Sequence, residues 1–260
     1  MTGASTVLRD DIFEAPELAV WRFVLNDILT NGFVARDVAT GALLIVDPGA
    51  RAEDLVSAAG RWGGDVQWLL VTHLHEDHWA AVETVQRATG GRIAAPAGGA
   101  FRVDQVVAGG ETLAFGATEI QVYATPGHAP EHVSFRVGGQ MFVGDFLFRL
   151  GSGRTDGARA SATDLFAAVR DVFSGLPDDT VLWCGHGPPS TVGEELGDNP
   201  FWQFAVAEAA GNALETGHYR GGVADVLAHA DDYDGGTKAL LRLADGSLVI
   251  VPGSQLTLAS

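Results

Sequence analysis

The sequence predicts an α/β fold in which two β-sheets carry helices on their outer faces. Short apolar or alternating strands recur along the chain with amphipathic helical segments between them. The 260 residues are 47% hydrophobic and include 34 glycines, which is ample core and turn material for one large domain. Several strands also end in histidine or aspartate, and such groups can converge at the carboxyl edge of a sheet.

Taken in order, the opening is β-rich. Residues 18–25 read as a strand, and Asn31-Gly32 and Thr40-Gly41 mark a hairpin-like pair before Leu43-Leu44-Ile45-Val46-Asp47-Pro48-Gly49. Residues 52–62 and 79–89 are helical by pattern, with an apolar strand over 66–71 between them. Ser161 with Asp164 makes a capping-box start for a helix over 162–173, whose Leu165, Val169 and Val172 share a face. Beyond Asn199-Pro200, residues 201–216 read as an amphipathic helix. Residues 239–243 and 248–251, joined by Ala244-Asp245-Gly246-Ser247, read as a terminal β-hairpin.

The run Thr72-His73-Leu74-His75-Glu76-Asp77-His78 follows the strand over 66–71 and packs His73, His75, Asp77 and His78 into six residues. Imidazole nitrogens and carboxylate oxygens suit a borderline divalent ion such as zinc, and alternate residues can point into one pocket. A lone histidine is usually a surface or hydrogen-bonded residue. Three of them with an aspartate would crowd and desolvate one another, a cost that a cation removes. The grammar repeats downstream: Thr125-Pro126-Gly127-His128, Phe142-Val143-Gly144-Asp145 and Leu182-Trp183-Cys184-Gly185-His186 each follow an apolar strand. In each, glycine lets the backbone turn sharply beside the polar group.

The ordered set H-x-H-x-D-H, His128, Asp145 and His186 resembles the full binuclear pattern of the metallo-β-lactamase superfamily, from residue 18 to residue 200. The resemblance implies an αββα sandwich of two mixed sheets, with residues 1–200 as the catalytic domain. Residues 201–260 are then a helix-plus-hairpin extension packed on the same domain. It further implies His73, His75, Asp77, His78, His128, Asp145 and His186 as ligands of two divalent ions bridged by Asp145, zinc first, with iron or manganese as the other candidates. Asp47 matches the superfamily's first motif and is expected to support a ligand without touching an ion.

Within the superfamily the chain is similar to glyoxalase II, the hydroxyacylglutathione hydrolases. Gly144-Asp145-Phe146-Leu147-Phe148, Gly151-Ser152-Gly153-Arg154-Thr155-Asp156, and Gly185-His186-Gly187-Pro188 followed by Ser190-Thr191-Val192-Gly193-Glu194 and Asn199-Pro200-Phe201 carry this likeness. It implies that Arg154 helps hold the substrate; Arg149, like Arg154, follows Asp145 closely in sequence and is on that ground a second candidate at the pocket rim. Persulfide dioxygenases, with one iron held by His, His and Asp, share a similar region and supply the alternative, as does a lactone hydrolase. His132 is expected outside the ligand set, Trp79 in packing, Glu131 at the pocket mouth, and His218 and His229 at the surface. Longer glyoxalase II enzymes end in a helical domain that helps hold glutathione, a pattern that residues 201–260 lack.

The chemistry follows from the ions. Two bridged cations lower the pKa of a bound water to about 7 and polarise a carbonyl. A thiol of pKa about 8.5 leaves unprotonated, whereas an amine needs an acid, and the motifs offer none beyond a released metal-bound proton or Asp77. The expected activity is cleavage of a thioester, or a related ester, by metal-bound hydroxide, with Asp77 as the catalytic carboxyl group.

A formal net charge of −17 with a single lysine, Lys238, argues against nucleic acid and anionic lipid surfaces as partners. A small-molecule substrate is expected instead, and a homo-oligomer is left open. No stretch approaches the roughly 18 uninterrupted apolar residues of a membrane span. The opening segment, with Arg9, Asp10, Asp11 and Glu14, lacks the apolar core of a signal peptide, so the expected location is cytoplasmic. Cys184 stands alone on an apolar strand and reads as a buried structural thiol.

Overall fold

The computed structural model describes residues 11–207 and 213–258. The first sheet has seven strands that lie side by side in chain order: Asp11–Glu14, Leu18–Val24, Asn31–Asp37, Leu43–Val46, Val66–Leu70, Arg92–Ala95 and Gln105–Val106. The first four pair antiparallel and the last four parallel. Parallel neighbours need a crossover, and the helices Ala52–Trp62 and Val82–Thr89 provide two of these. The second sheet runs Ser190–Thr191, Val181–Cys184, Gln140–Gly144, Val133–Val137, Thr118–Ala124 and Thr112–Phe115. Only Gln140–Gly144 and Val181–Cys184 are parallel there, and the helix Ala162–Asp171 lies between them in sequence.

Leu43–Val46 is buried throughout, as a strand with both faces covered must be. Between the sheets, Leu44 and Val46 meet Phe33, Phe115, Ile120, Phe135 and Phe142 in one core. On the outer side of the first sheet, Leu43, Ile45 and Leu69 pack against Leu55, Ala58, Val82 and Val85 of its helices. On the outer side of the second, Met141, Val143 and Leu182 pack against Leu165, Val169, Phe201 and Trp202. The order is helix, sheet, sheet, helix, and both sheets are mixed. No helix among the described residues is long and apolar enough to cross a membrane.

The C-terminal region departs from expectation. The helix read over 201–216 is Pro200–Val206, started by Asn199 Oδ1, which accepts from the Phe201 and Trp202 N–H groups at 2.9 and 3.3 Å. Residues 208–212 of that reading lie outside the described residues, and Glu215 and Thr216 belong to a strand. The expected hairpin is two strands of a five-stranded antiparallel sheet ordered Leu248–Pro252, Thr237–Leu243, Gly222–Asp231, Glu215–Tyr219 and Leu256–Leu258. One strand hides its period because, of its two buried residues, Gly217 and Tyr219, the first carries no side chain. A bulge between Val226 and Ala228 breaks the alternation of the next. Leu227, Ala228, Leu240 and Ile250 of this third sheet share a core with the helices Ala162–Asp171 and Pro200–Val206.

Two further readings change. Asn31 and Gly32 are not turn residues but pair with Val24 and Phe23 in the ladder. The helix expected over 79–89 is divided into Glu76–Trp79 and Val82–Thr89, with Ala81 off helical geometry at φ −98° and ψ 0°. Ser161 caps its helix through an Asp164 N–H bond of 3.1 Å, and a short 3₁₀ turn, Phe173–Gly175, follows.

Candidate metal centre

Four strands of the sandwich, Val66–Leu70, Thr118–Ala124, Gln140–Gly144 and Val181–Cys184, run out where the polar residues begin, and the chain turns there bring all seven candidate ligands together. His73, His75, His128 and Asp145 present ligand atoms within 4.8 Å of one another, as do Asp77, His78 and His186. His75 Nδ1 lies 3.1 Å from His73 Nε2 and 2.9 Å from His128 Nε2. Asp145 stands between the groups: Oδ1 is 3.3 Å from His78 Nε2, and Oδ2 is 3.4 Å from His186 Nε2 and 3.6 Å from His128 Nε2. His78 Nε2 and Asp145 Oδ1 are buried without a hydrogen-bond partner. Orphaned buried donors and acceptors are expensive, and a cation shared by these nitrogens and oxygens resolves them. The donor set therefore fits divalent metal.

In His73, His78, His128 and His186 the other ring nitrogen is tied from behind. His128 Nδ1 donates to the Arg154 carbonyl and His186 Nδ1 to the Ile28 carbonyl, both at 2.9 Å. His73 Nδ1 lies 3.1 Å from Thr72 Oγ1, and His78 Nδ1 3.0 Å from Asp47 Oδ2. Such partners leave Nε2 of these rings facing the cluster. Burial pushes His73 and His128 below the usual imidazole range, which favours the neutral form that binds a cation. Burial also disfavours charge on His78 and His186, but Asp145, joined by Asp47 at His78 and by Asp77 at His186, raises both. Burial likewise opposes ionisation of Asp145, yet His186 and His78 hold its carboxyl well below the usual carboxylate range.

Asp47 is buried at φ 49° and accepts from Thr72 N and Thr72 Oγ1, each at 2.8 Å, besides facing His78. One carboxylate thus ties the start of the histidine loop to a candidate ligand. Asp47→Ala is expected to cost about 2–4 kcal/mol of stability, because it leaves buried donors unpaired, and to weaken metal uptake about 10–100-fold. Asp47→Asn keeps part of both. Urea unfolding and chelator titration measure the two effects, and parental values in Asp47→Ala would remove the supporting role.

Thr30 and Asn31 escaped the sequence reading. Thr30 Oγ1 donates to Asp77 Oδ2 at 2.7 Å. Asn31 Nδ2 donates to the Cys184 and Gly187 carbonyls at 2.9 and 2.7 Å, joining the first sheet to the His186 turn. Their only sequence signal was the Asn-Gly dipeptide, which imitates a turn.

A cavity of about 450 Å³ opens beside the cluster, lined by His75, His128, Glu131, Arg154 and Arg159 among others. Arg154 reaches it while holding Asp156 through Nε at 2.5 Å and Nη2 at 2.8 Å. The structure does not bring Arg149 to this cavity. Its guanidinium is bound to Glu194 Oε1, at 3.0 Å from Nε and 2.5 Å from Nη2. It lines a separate cavity with Leu150, Pro188 and Tyr233, because the chain turns at Leu150 with φ 56°.

Of the other singled-out residues, His132 stacks on His73 at 5.0 Å and bonds Thr125, outside both ligand groups. Glu131 accepts from the Leu74 N–H at 3.2 Å. Trp79 packs against Phe101, Cys184 is buried, and His218 and His229 are exposed.

The sequence profile of the metallo-beta-lactamase superfamily matches residues 26–186. A hydroxyacylglutathione hydrolase of Cereibacter sphaeroides is 30% identical over 230 residues, covering 85% of this chain and 86% of its own. The solved structure of ETHE1 from Myxococcus xanthus aligns with a TM-score of 0.65 at 25% identity, over 71% of this chain and 88% of that one. TTHA1623 in a di-iron-bound form aligns with a TM-score of 0.58 at 31% identity, over 69% and 98%. The chain spans 48 to 61% of the length of the first curated relatives it matches.

Proposed function

The chain belongs to the metallo-β-lactamase superfamily, and from that membership we propose that it is a metal-dependent hydrolase that cleaves an acyl thioester or a related ester. The observation that carries this is Asp145, whose two oxygens face both ligand groups at 3.3 to 3.6 Å. A site for one ion needs no such bridge. Likeness to a hydroxyacylglutathione hydrolase supports the thioester, and the di-iron form of a relative makes iron the second metal to test after zinc.

Bound divalent ions supply Lewis acidity, polarising a carbonyl and acidifying a water to a pKa of about 7. The chain supplies the rest. His75 and His128 line the cavity and with His73 orient one half of the site; His78 and His186 orient the other. Asp77 is 25% exposed at its side chain against 9% for Asp145, so it is the carboxylate that can exchange a proton with solvent. Among the described residues, Glu131 is the carboxyl group that lines the cavity, where it accepts from the Leu74 N–H; a departing thiolate needs no acid. Thioesters are therefore expected to turn over about 10²–10⁴-fold faster than matching amides, the range a missing general acid costs.

Elemental analysis of protein purified without added metal, joined to thioester kinetics, tests the proposal. Two zinc ions per chain with thioester turnover are the expected result. A single iron, with oxygen uptake on glutathione persulfide and no thioester turnover, would transfer the assignment to a dioxygenase. For Arg154 the expected effect is small, since Asp156 already neutralises it and solvent screens it. Arg154→Ala should raise KM for an anionic thioester about two- to fivefold with little change in kcat, the mark of lost uniform binding. A neutral thioester should not respond, and an equal response of both would show that Arg154 does not read substrate charge.

A further inference from the structure

The turn between the strands Gly222–Asp231 and Thr237–Leu243 of the third sheet carries Tyr233 onto His186. The two rings are stacked, 4.5 Å between centroids and 22° between planes. Phe148 stands edge-on to both, 5.4 Å from His186 and 4.8 Å from Tyr233. The turn is held firmly: Tyr233 N donates to Asp232 Oδ1 at 2.9 Å, and the Asp232 carboxylate receives Lys238 Nζ at 2.8 Å. Lys238 is 4% exposed and lies over the rings of Phe148 at 4.2 Å and Tyr233 at 5.4 Å. A buried ammonium is costly unless paired; here a carboxylate and two aromatic faces pair it. Gly187, at φ 73°, makes room, since a Cβ there would come within 3.1 Å of Tyr233 Cβ.

These contacts converge on His186, whose Nδ1 hydrogen bond to the Ile28 carbonyl still lets the ring pivot about that bond. The stacked ring removes the freedom. We infer that the third sheet is a working part of the metal centre: Tyr233, backed by Phe148 and the Lys238–Asp232 pair, is a positioning residue that fixes the His186 ring and tightens the ion held by Asp77, His78 and His186. The Tyr233 hydroxyl has no hydrogen-bond partner among the described residues, so the aromatic face, not the phenol, does this. The inference rests on the two-ion reading of the cluster.

The test is stepwise removal of zinc from the loaded protein by a chromophoric chelator, with His186→Ala identifying the step that belongs to His186. Tyr233→Ala should weaken that step about tenfold, the lower end for partners of a metal-bound histidine, and leave the other within about twofold. Tyr233→Phe should match the parent at both steps, and Lys238→Met should shift the same step in the same direction. If Tyr233→Ala fails to fold, Tyr233→Leu keeps the bulk without the aromatic face and gives the same reading. Unchanged steps in Tyr233→Ala or Tyr233→Leu, or equal weakening of both, would overturn the inference alone. A parent that binds a single ion would overturn it together with the two-ion reading.

Discussion

Asp145→Ala is expected to abolish turnover of every acyl substrate, by more than about 10³-fold, while the chain remains folded and its metal content falls. The carboxylate faces three candidate ligands from two groups, so its loss removes a contact from each half of the site. Removing one group that stabilises a developing oxyanion costs about 10²–10³. Here Lewis acidity and the acidified water would be lost together, hence the larger figure. The fold should survive because Asp145 follows the strand Gln140–Gly144 and belongs to none of the four apolar clusters. Asp145→Asn keeps the shape without the charge and should lose metal less completely. Metal analysis, far-ultraviolet circular dichroism and steady-state rates decide the matter, and parental metal content with parental rate would remove the bridging role.

The same residue shows why the site was legible in the sequence. Asp145, His128 and His186 each follow a glycine after an apolar strand, and the histidine loop announces itself by density. Local signals of this kind survive folding because one strand end delivers the whole histidine loop and three others deliver His128, Asp145 and His186 singly. The two sheets with outer helices, and the helix Ala52–Trp62 among them, were legible for a related reason, since apolar period and length agree there, while their mixed pairing followed from the family resemblance. Contacts between distant segments were not. Nothing near Asn31 says that its amide will meet the Cys184 carbonyl, and the Asn-Gly pair argues for a turn instead. The third sheet was half hidden, because Gly217 faces inward without an apolar side chain and the bulge after Val226 shifts the period. Tyr233 was invisible for both reasons at once: its turn belongs to that sheet, and its partner His186 lies in another segment. Arg149 was misplaced because closeness to Asp145 in sequence does not carry past the turn at Leu150, where φ is 56°.

Gly185→Ala is expected to lower the rate about 10²-fold, although it adds one methyl group. A Cβ at Gly185 would lie 2.1 Å from Asp145 Oδ1, 2.8 Å from the Gly144 carbonyl carbon and 2.9 Å from His78 Cε1. The backbone cannot retreat, because Gly185 N donates to the Gly144 carbonyl at 2.8 Å and its own carbonyl accepts from Asn31 N at 2.7 Å. The carboxylate must then move by about 1 Å, and a misplacement of that size costs about 10²-fold in rate. Overpacking adds about 1–3 kcal/mol of destabilisation. Gly197→Ala is the control: it lies in the helix Val192–Asp198 with nothing within 4 Å of the new methyl. That change should stabilise the protein by about 0.5–1 kcal/mol through helix propensity and leave metal and rate alone. Urea unfolding, metal content and kcat on the two variants separate a crowded site from a general intolerance of alanine. A Gly185→Ala protein with parental metal content and kcat would mean that the Asp145 carboxylate does not need the position it holds between His78 and His186.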